Sequence, residues 1–291
     1  MNKLYEDLTL QFTEEGYKTA DKKSKKIYKQ HKQDQEEVLN KIAKIILTYT
    51  VLDNILSIGS KDKKILRKEF SNIISSICLG QFKLEKDIMQ DIFETVTKDK
   101  YYSDYYVLKL GLDFKLQKLT DRQIKEIVNK TIKGELWSDR LWNNKKDLEK
   151  SLKVEIERFL QGKTNVNKIE KVIKDRFNQN AYNTKRLVET EVAKCQSEVN
   201  DVFAEEQGIE EQIYTATLDN ATSKFCSEHD GKRYKINDLN KPSLPAHPFC
   251  RSCYINIPFK DWKPKVRKDN ITKEYIPYIN YKEWLEQQDI K

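Results

Sequence analysis

VETEVAKCQSEVNDVFAEEQGIEEQIYTATLD, residues 188–219, contains the change of pattern that decides the fold. Up to Gly208 its apolar residues recur every three or four positions, which is the period of one face of an α-helix. These residues are Val188, Val192, Cys195, Val199 and Val202. After Gly208, a residue type common just beyond helix ends, the segment IYTATLD alternates as a β-strand does. The pattern predicts a long helix that ends near Gly208 and is followed by a small β-rich module.

Four more apolar series at helical spacing precede this stretch. They are Val38, Ile42, Ile45, Tyr49, Leu52 and Leu56; Ile65, Ile73, Ile74, Ile77 and Cys78; Trp137, Leu141, Leu148, Leu152, Ile156 and Phe159; and Val166, Ile169, Ile173 and Phe177. Thr120, three residues before Gln123, forms a capping-box pattern that predicts another helix, with Gly134 as its stop. Only 8 glycines and 6 prolines occur in 291 residues, which favours long helices over an all-β fold.

Cysteine and histidine residues cluster in a predicted zinc module, residues 214–258. CSEHDGKRY contains Cys226 and His229, and HPFCRSC supplies His247, Cys250 and Cys253. Zinc takes four such ligands, so one donor is spare. We expect one structural zinc on Cys226, His229, His247 and Cys250, with Cys253 as the first substitute. The metal would supply folding free energy to a module too small to bury enough apolar surface.

These patterns predict a mainly α protein with a helical N-terminal part and a small C-terminal α+β module stabilised by zinc. The chain length permits two domains, because single cores stop growing near roughly 250 to 300 residues. We expect a helical domain at 1–133, a second domain at 134–258 that includes the zinc module, and an aromatic and charged tail at 259–291 that extends to dock on another surface.

The net charge of +8 and the pI near 8.9 favour a polyanionic partner. Five lysines follow helical spacings of three and four and would line one helix face. They are Lys18, Lys22, Lys25, Lys29 and Lys32. Two interpretations stay open: contact with the phosphates of double-stranded DNA, and an ordinary solvated helix face.

Targeting signals are not evident in the sequence. No stretch approaches 18 consecutive apolar residues, and the start, MNKLYEDLTLQF, has acids where a signal peptide needs an apolar run. We therefore expect a non-secreted protein without a membrane segment. Its five cysteines are an odd number, and three cluster with histidines, which points to a metal site in a reducing compartment rather than to disulfides. Cys78 and Cys195 are expected to be buried thiols.

Two enzymatic alternatives compete with a structural metal. Glu228, two residues after Cys226, together with Cys250-x-x-Cys253 imitates the signature of zinc deaminases, but both ligand pairs are expected beside turns and strands rather than at helix starts. A metal-dependent nuclease would need a histidine beyond the ligands, and only His31 remains. Glu189 and Glu191 lie on different helix faces, and an ion pair with Arg186 explains them better than catalysis. We predict no catalytic residues.

Four segments in order resemble a known family. They are GELWSDRLW (134–142), KRLVETEVAKCQSEVN (185–200), GIEEQIYTATLDNATSKFCSEHDGKRY (208–234) and LPAHPFCRSCYINIP (244–258). The chain resembles the Mu F-like phage head morphogenesis family, also called minor capsid or minor head proteins, over about its C-terminal half. The most specific pieces are Arg186 with Thr190 and Glu191, the TATLD segment before Cys226, the D-G-K turn, and H-P-x-C-R. The family usually has a second cysteine where His229 stands and ends C-R-C, so the resemblance leaves open which four donors bind zinc.

The resemblance implies a low-copy phage structural protein rather than an enzyme. Such a protein would be made in the cytoplasm of a bacterial host and reside in the virion, inside the head near the portal. Its partners would be the portal protein, the capsid proteins or both. Some relatives are thought to bind DNA, which would give the lysine face a purpose. The alternative is a zinc-dependent enzyme that acts on nucleic acid.

Overall fold

The computed structural model describes residues 2–109 and 118–289. Its elements are α1 (Asn2–Thr48), β1 (Thr50–Leu52), β2 (Ile55–Ser57), α2 (Ser60–Lys109), α3 (Asp121–Val128), α4 (Trp137–Leu160), α5 (Val166–Glu206), β3 (Glu211–Thr215), α6 (Lys224–His229), β4 (Arg233–Lys235), β5 (Cys253–Asn256), β6 (Val266–Lys268), β7 (Tyr275–Pro277) and α7 (Tyr281–Asp289). The predicted class is confirmed, because the chain is mainly helical with small antiparallel sheets in its C-terminal part. None of the described helices has an 18-residue stretch apolar enough to cross a membrane.

The chain forms two compact units that do not follow the expected domain boundaries at 133 and 258. The bundle unit comprises residues 23–90 and 131–187, and the sheet unit comprises residues 1–22, 91–130 and 188–291. The long helices α1, α2 and α5 each contribute residues to both units. Helical periodicity continues through such a helix, so the sequence pattern does not mark the division.

Four antiparallel helical segments build the bundle unit. Ion pairs connect neighbouring segments: Lys41 of α1 with Glu69 of α2 at 2.5 Å, Arg67 of α2 with Glu157 of α4 at 2.6 Å, and Arg176 of α5 with Glu155 of α4 at 2.6 Å. The core uses the predicted apolar series, including Val38, Ile42, Ile74, Leu152, Phe159, Ile173 and Phe177. Burial of these helix faces provides the main driving force for folding.

Two predicted helix ends, one in each unit, are wrong. The series that starts at Val38 was expected to continue as a helix to Leu56, but α1 ends at Thr48 and a β-hairpin follows. Asp53 and Asn54 form its turn with φ of 48° and 61°, a left-handed conformation that Asp and Asn tolerate better than most residues. Helix α3 has the predicted capping box at Thr120 but ends at Val128, well before Gly134.

A three-stranded antiparallel sheet forms the centre of the sheet unit, with β3 between β4 and β5. In its register Ile213 lies opposite Ile255 and Tyr214 opposite Tyr254. Because strand residues alternate between faces, the two tyrosines share one face and the two isoleucines share the other. The tyrosine face packs with Cys226 and Cys250, whereas the isoleucine face packs with Ile257 and Trp262.

The C-terminal segment is folded over residues 259–289 rather than an extended tail, which corrects the expectation there; residues 290 and 291 lie outside the described residues. Trp262 and Trp284 are 1% and 0% exposed. The Asp230 carboxylate ties the segment to the sheet: Oδ2 accepts hydrogen bonds from Arg267 at 2.6 Å and from the Tyr281 amide at 2.7 Å, and Oδ1 accepts from the Ala216 amide at 2.7 Å. The aromatic residues therefore complete the core of this unit.

The burial of the Glu6 carboxylate predicts that the stability of the sheet unit depends on pH. This carboxylate is fully buried and accepts hydrogen bonds from the amides of Lys265 (2.9 Å) and Val266 (3.2 Å). Burial raises the pKa of Glu6 from its ordinary value of 4.5 to about 7, although the two backbone hydrogen bonds oppose the shift. Between these pH values the folded state binds more protons than the unfolded state, so stability should fall as the pH rises through this window.

We expect Glu6→Gln to flatten this pH dependence, because glutamine keeps an acceptor oxygen but does not ionise. The variant should exceed the wild type in free energy of unfolding at pH about 8 by on the order of 1–3 kcal/mol, and the gap should close towards pH about 5. Urea unfolding of both proteins at the two pH values measures this difference in free energy. Parallel pH profiles for the two proteins would contradict the role of Glu6.

Candidate metal centre

Three of the five predicted donors come together in the sheet unit: Cys226, His247 and Cys250. Their ligand atoms all lie within 4.8 Å of one another. Cys226 Sγ is 3.3 Å from His247 Nε2 and 3.8 Å from Cys250 Sγ. Tetrahedral zinc with ordinary bond lengths has sulfur–nitrogen and sulfur–sulfur separations of about 3.6 and 3.8 Å, so both distances fit a common metal ion. This group can hold a metal.

Local hydrogen bonds position each donor. The Ser223 side chain accepts from the Cys226 amide at 3.2 Å and caps α6, which places Cys226 in the first helical turn. A turn follows His247, whose carbonyl accepts from the Cys250 amide at 3.1 Å. His247 Nδ1 lies 2.9 Å from the Pro248 carbonyl. A hydrogen bond there leaves Nε2 free for a metal, as is common for ligating histidines.

The surroundings of Cys226 favour its thiolate form. A hydrogen bond with Cys250 lowers the pKa of Cys226 to about 4 against the opposing effect of burial, with help from the hydroxyls of Ser223, Ser252 and Tyr214. The same contact, together with burial, raises the pKa of Cys250. Tyr214 Oη is 3.2 Å from Cys226 Sγ. A thiolate is the form that binds metals, so one ligand is prepared before the ion arrives.

His229 and Cys253 do not belong to this group, which corrects the expectation that four of the five donors meet. His229 Nδ1 is 2.6 Å from the Tyr234 hydroxyl, and its ring packs 4.4 Å from that of Phe225. Cys253 pairs with Thr215 in the sheet and therefore lies on the face opposite Tyr254. Burial raises its pKa to about 11. Both residues are close to the three ligands in sequence. Aromatic packing, however, turns the His229 ring towards Tyr234, and strand alternation places the Cys253 side chain on the other face of the sheet.

Sequence reasoning missed Ser252 and Tyr214, whose hydroxyls both hydrogen-bond around Cys226. Ser252 is buried at 7% exposure. The period-two pattern of IYTATLD was the one signal that could have placed Tyr214 on the same face as a partner in β5. Hydroxyls near a thiolate supply the second layer of hydrogen bonds that orients metal ligands.

A scan against protein-family models and searches of curated proteins and of solved structures each found no match to this chain.

The acidic residues considered as catalytic candidates, Glu228 and Glu191, lie beside lysines. Cys226 lies at a helix start, so the objection to a deaminase-like site was wrong for this residue, whereas Cys250 lies in a loop and Cys253 begins β5, as expected. However, Glu228 is half exposed and lies 3.8 Å from Lys224. Glu191 is fully buried and forms a 2.8 Å ion pair with Lys194, which also donates to two backbone carbonyls of residues 128 and 130. Glu191 is thus held by a structural ion pair, the kind of role expected for it.

The lysine series of α1 forms an exposed face as predicted. Lys18, Lys22, Lys25, Lys29 and Lys32 are all exposed, whereas Ala20, Ile27 and His31 are buried on the other side. Lys18 is paired with Glu14 and Glu15. Within the described part of the chain no carboxylate pairs with the other four, and residues 22–33 contain six lysines and no acid. Their positive charge is therefore available to a partner.

Proposed function

We propose that this chain is a phage minor head protein that binds the portal or the procapsid interior during head assembly and is not an enzyme. The observation that carries the proposal is the convergence of the segments that resemble the Mu F-like family. Arg251 of H-P-x-C-R forms a two-point ion pair with Asp219 of TATLD, and its carbonyl accepts from Thr217 at 3.2 Å. The Phe249 amide donates to Thr190 at 3.3 Å. Segments far apart in sequence thus form one constellation.

We propose further that the metal is zinc and that its role is structural. Two cysteines and one histidine are a soft donor set that suits zinc. The two thiols are 3% and 1% exposed, and among the described residues no carboxylate joins their group. Bound there, zinc would stabilise the sheet unit by joining α6 to the loop before β5. The hydroxyls of Tyr214 and Ser252 hydrogen-bond with Cys226 and would help to orient its sulfur towards the metal.

DNA is the further proposed ligand, and the bundle unit is the part suited to it. That unit has 28 lysines and arginines against 16 aspartates and glutamates, a formal charge of +12, whereas the sheet unit has 26 against 30 and a charge of −4. Lys25, Lys29 and Lys32 belong to the bundle unit and lack carboxylate partners among the described residues. Unpaired cations on a helix face fit phosphate contacts.

Replacing Lys25, Lys29 and Lys32 together with glutamine should weaken binding to duplex DNA by about tenfold or more at 100 mM salt, because three phosphate contacts are lost. The slope of log K against log salt should fall by about 2 to 3. A matched control is the triple change of Lys224, Lys232 and Lys235 to glutamine, which removes the same charge from exposed positions of the sheet unit. Equal losses in the two triple variants would contradict a specific role for the α1 face.

The assembly proposal is tested by co-expression with portal and coat proteins of a phage that encodes this chain. The chain should co-purify with portal rings or procapsids, and heads made without it should be less infectious. Glu228→Gln should leave both properties unchanged, whereas a deaminase-like enzyme would lose its activity with this change. Absence from particles together with a metal-dependent activity on nucleic acid would reverse the assignment.

A further inference from the structure

We propose that the bundle unit has a second nucleic-acid surface, a stacking platform for single-stranded nucleic acid. The platform consists of Leu79, Phe82 and Lys86 on α2 with Trp142 and Lys146 on α4. It lies on other helices than the α1 lysine face and does not depend on the role in head assembly.

An aromatic pair, half-buried Phe82 and exposed Trp142, forms the centre of the platform. The ring centres of Phe82 and Trp142 are 4.8 Å apart at an interplanar angle of 64°, so the two rings form a contact between α2 and α4. Trp142 remains 37% exposed and Leu79, one turn before Phe82, is 45% exposed. An exposed aromatic ring offers a flat surface on which a base can stack, and Leu79 adds apolar area beside it.

Two lysines lie over these rings. Lys86 Nζ is 6.0 Å from the centre of the Phe82 ring, and Lys146 Nζ is 5.3 Å from that of Trp142. Each lysine follows its aromatic residue by four positions, one helical turn. Neither has a carboxylate partner among the residues that the structure describes. A base stacked on a ring would bring its phosphate within reach of the adjacent lysine, which could exchange its ring contact for an ion pair.

The base of the platform is rigid. Gln81 and Lys145 directly precede Phe82 and Lys146 in sequence, are buried, and join α2 to α4 through a 3.2 Å hydrogen bond from Lys145 to Gln81. Fixed helices hold the two rings in place without a ligand. Less ordering entropy is then lost when a ligand binds.

Single-stranded nucleic acid fits this surface better than other partners. The unit's charge of +12 selects an anion. An acidic peptide has no regular series of flat faces, whereas every base of a single strand presents one. In a duplex the faces of the bases are stacked on one another, so the exposed rings would gain nothing from it.

The test is binding of fluorescent oligothymidylate of about 20 nucleotides to the full chain at about 150 mM salt. Trp142→Ala should weaken binding by about tenfold, and Trp142→Phe, which keeps an aromatic face, should retain most of it. Tyr182→Ala, which removes another exposed bundle ring, is the matched control and should bind as the wild type does.

Three further binding measurements distinguish single-stranded nucleic acid from other classes of partner. A duplex of equal length should be insensitive to Trp142→Ala, and polyglutamate and vesicles rich in anionic lipid should not compete with the oligonucleotide. The proposal is overturned if Trp142→Ala binds the single strand as tightly as the wild type, if Trp142→Phe loses as much as Trp142→Ala, or if the duplex shows the same loss. Competition by polyglutamate or by vesicles would likewise assign the surface to another partner.

Discussion

Lys145→Met should lower the free energy of unfolding by about 3–5 kcal/mol, because it removes the buried lysine that pairs with the buried Glu85 carboxylate. Lys145 and Glu85 are each 1% exposed at the side chain and form an ion pair in the bundle unit. Lys145 also donates to Asn180 at 2.9 Å. Burial lowers the pKa of Lys145 although Glu85 opposes the shift. For Glu85, burial is outweighed by Lys145 and His31, and its pKa is lowered.

The pair belongs to a network that connects all four helical segments of the unit. His31 Nε2 is 2.6 Å from Glu85 Oε1, and Thr184 donates to Glu85 Oε2 at 3.0 Å. Gln81 donates to Asp34 at 2.7 Å. All of these side chains are buried. Partners on every helix must be in register to satisfy such a network, so it selects one arrangement of the bundle.

Urea unfolding of Lys145→Met measures the loss, and Lys146→Met, the exposed neighbour, is the control with the same side-chain change. The double variant Lys145→Met with Glu85→Leu should recover much of the stability, because a buried pair replaced by apolar residues no longer leaves a charge uncompensated. If Lys145→Met unfolds at the same urea concentration as the wild type, Glu85 does not depend on Lys145 for its charge compensation.

Loss of the metal should destabilise the sheet unit nearly as strongly as Lys145→Met destabilises the bundle unit. The purified chain should contain about one zinc, and Cys250→Ser should lose it together with on the order of 10 °C in melting temperature, since metal binding contributes directly to folding. Cys226→Ser should behave in the same way. His229→Gln and Cys253→Ser are matched controls that should keep the metal, because neither donor lies in the group.

Metal analysis and thermal melts with and without a chelator provide the readouts. Cobalt substitution adds a count of thiolate ligands, which should be two. Loss of zinc in Cys253→Ser would show that the metal draws β5 into a different arrangement, and purified protein without bound zinc would remove the basis for a structural metal.

Local residue patterns were enough to predict that the chain is mainly helical and which residue types form the candidate metal site. Apolar spacing placed α4 and the C-terminal part of α5, the capping box located the start of α3, and the alternation after Gly208 located β3. Cys226, His247 and Cys250 were identified from residue type and short spacing, and the structure brings them together. Each of these features depends on neighbours within a few residues, which is the range over which a sequence pattern carries information.

Tertiary structure alone decided which donors meet and how the chain divides. His229 is one turn from Cys226 in sequence, yet aromatic neighbours direct its ring to Tyr234. No local pattern distinguishes Lys145 and Glu85 from the other charges of their helices, and only the packing of four segments makes them a buried pair. Long helices shared by two compact units carry no break in periodicity at the division. Local spacing determined what each segment is, whereas contacts between residues distant in sequence, which no local period encodes, determined what the segments build.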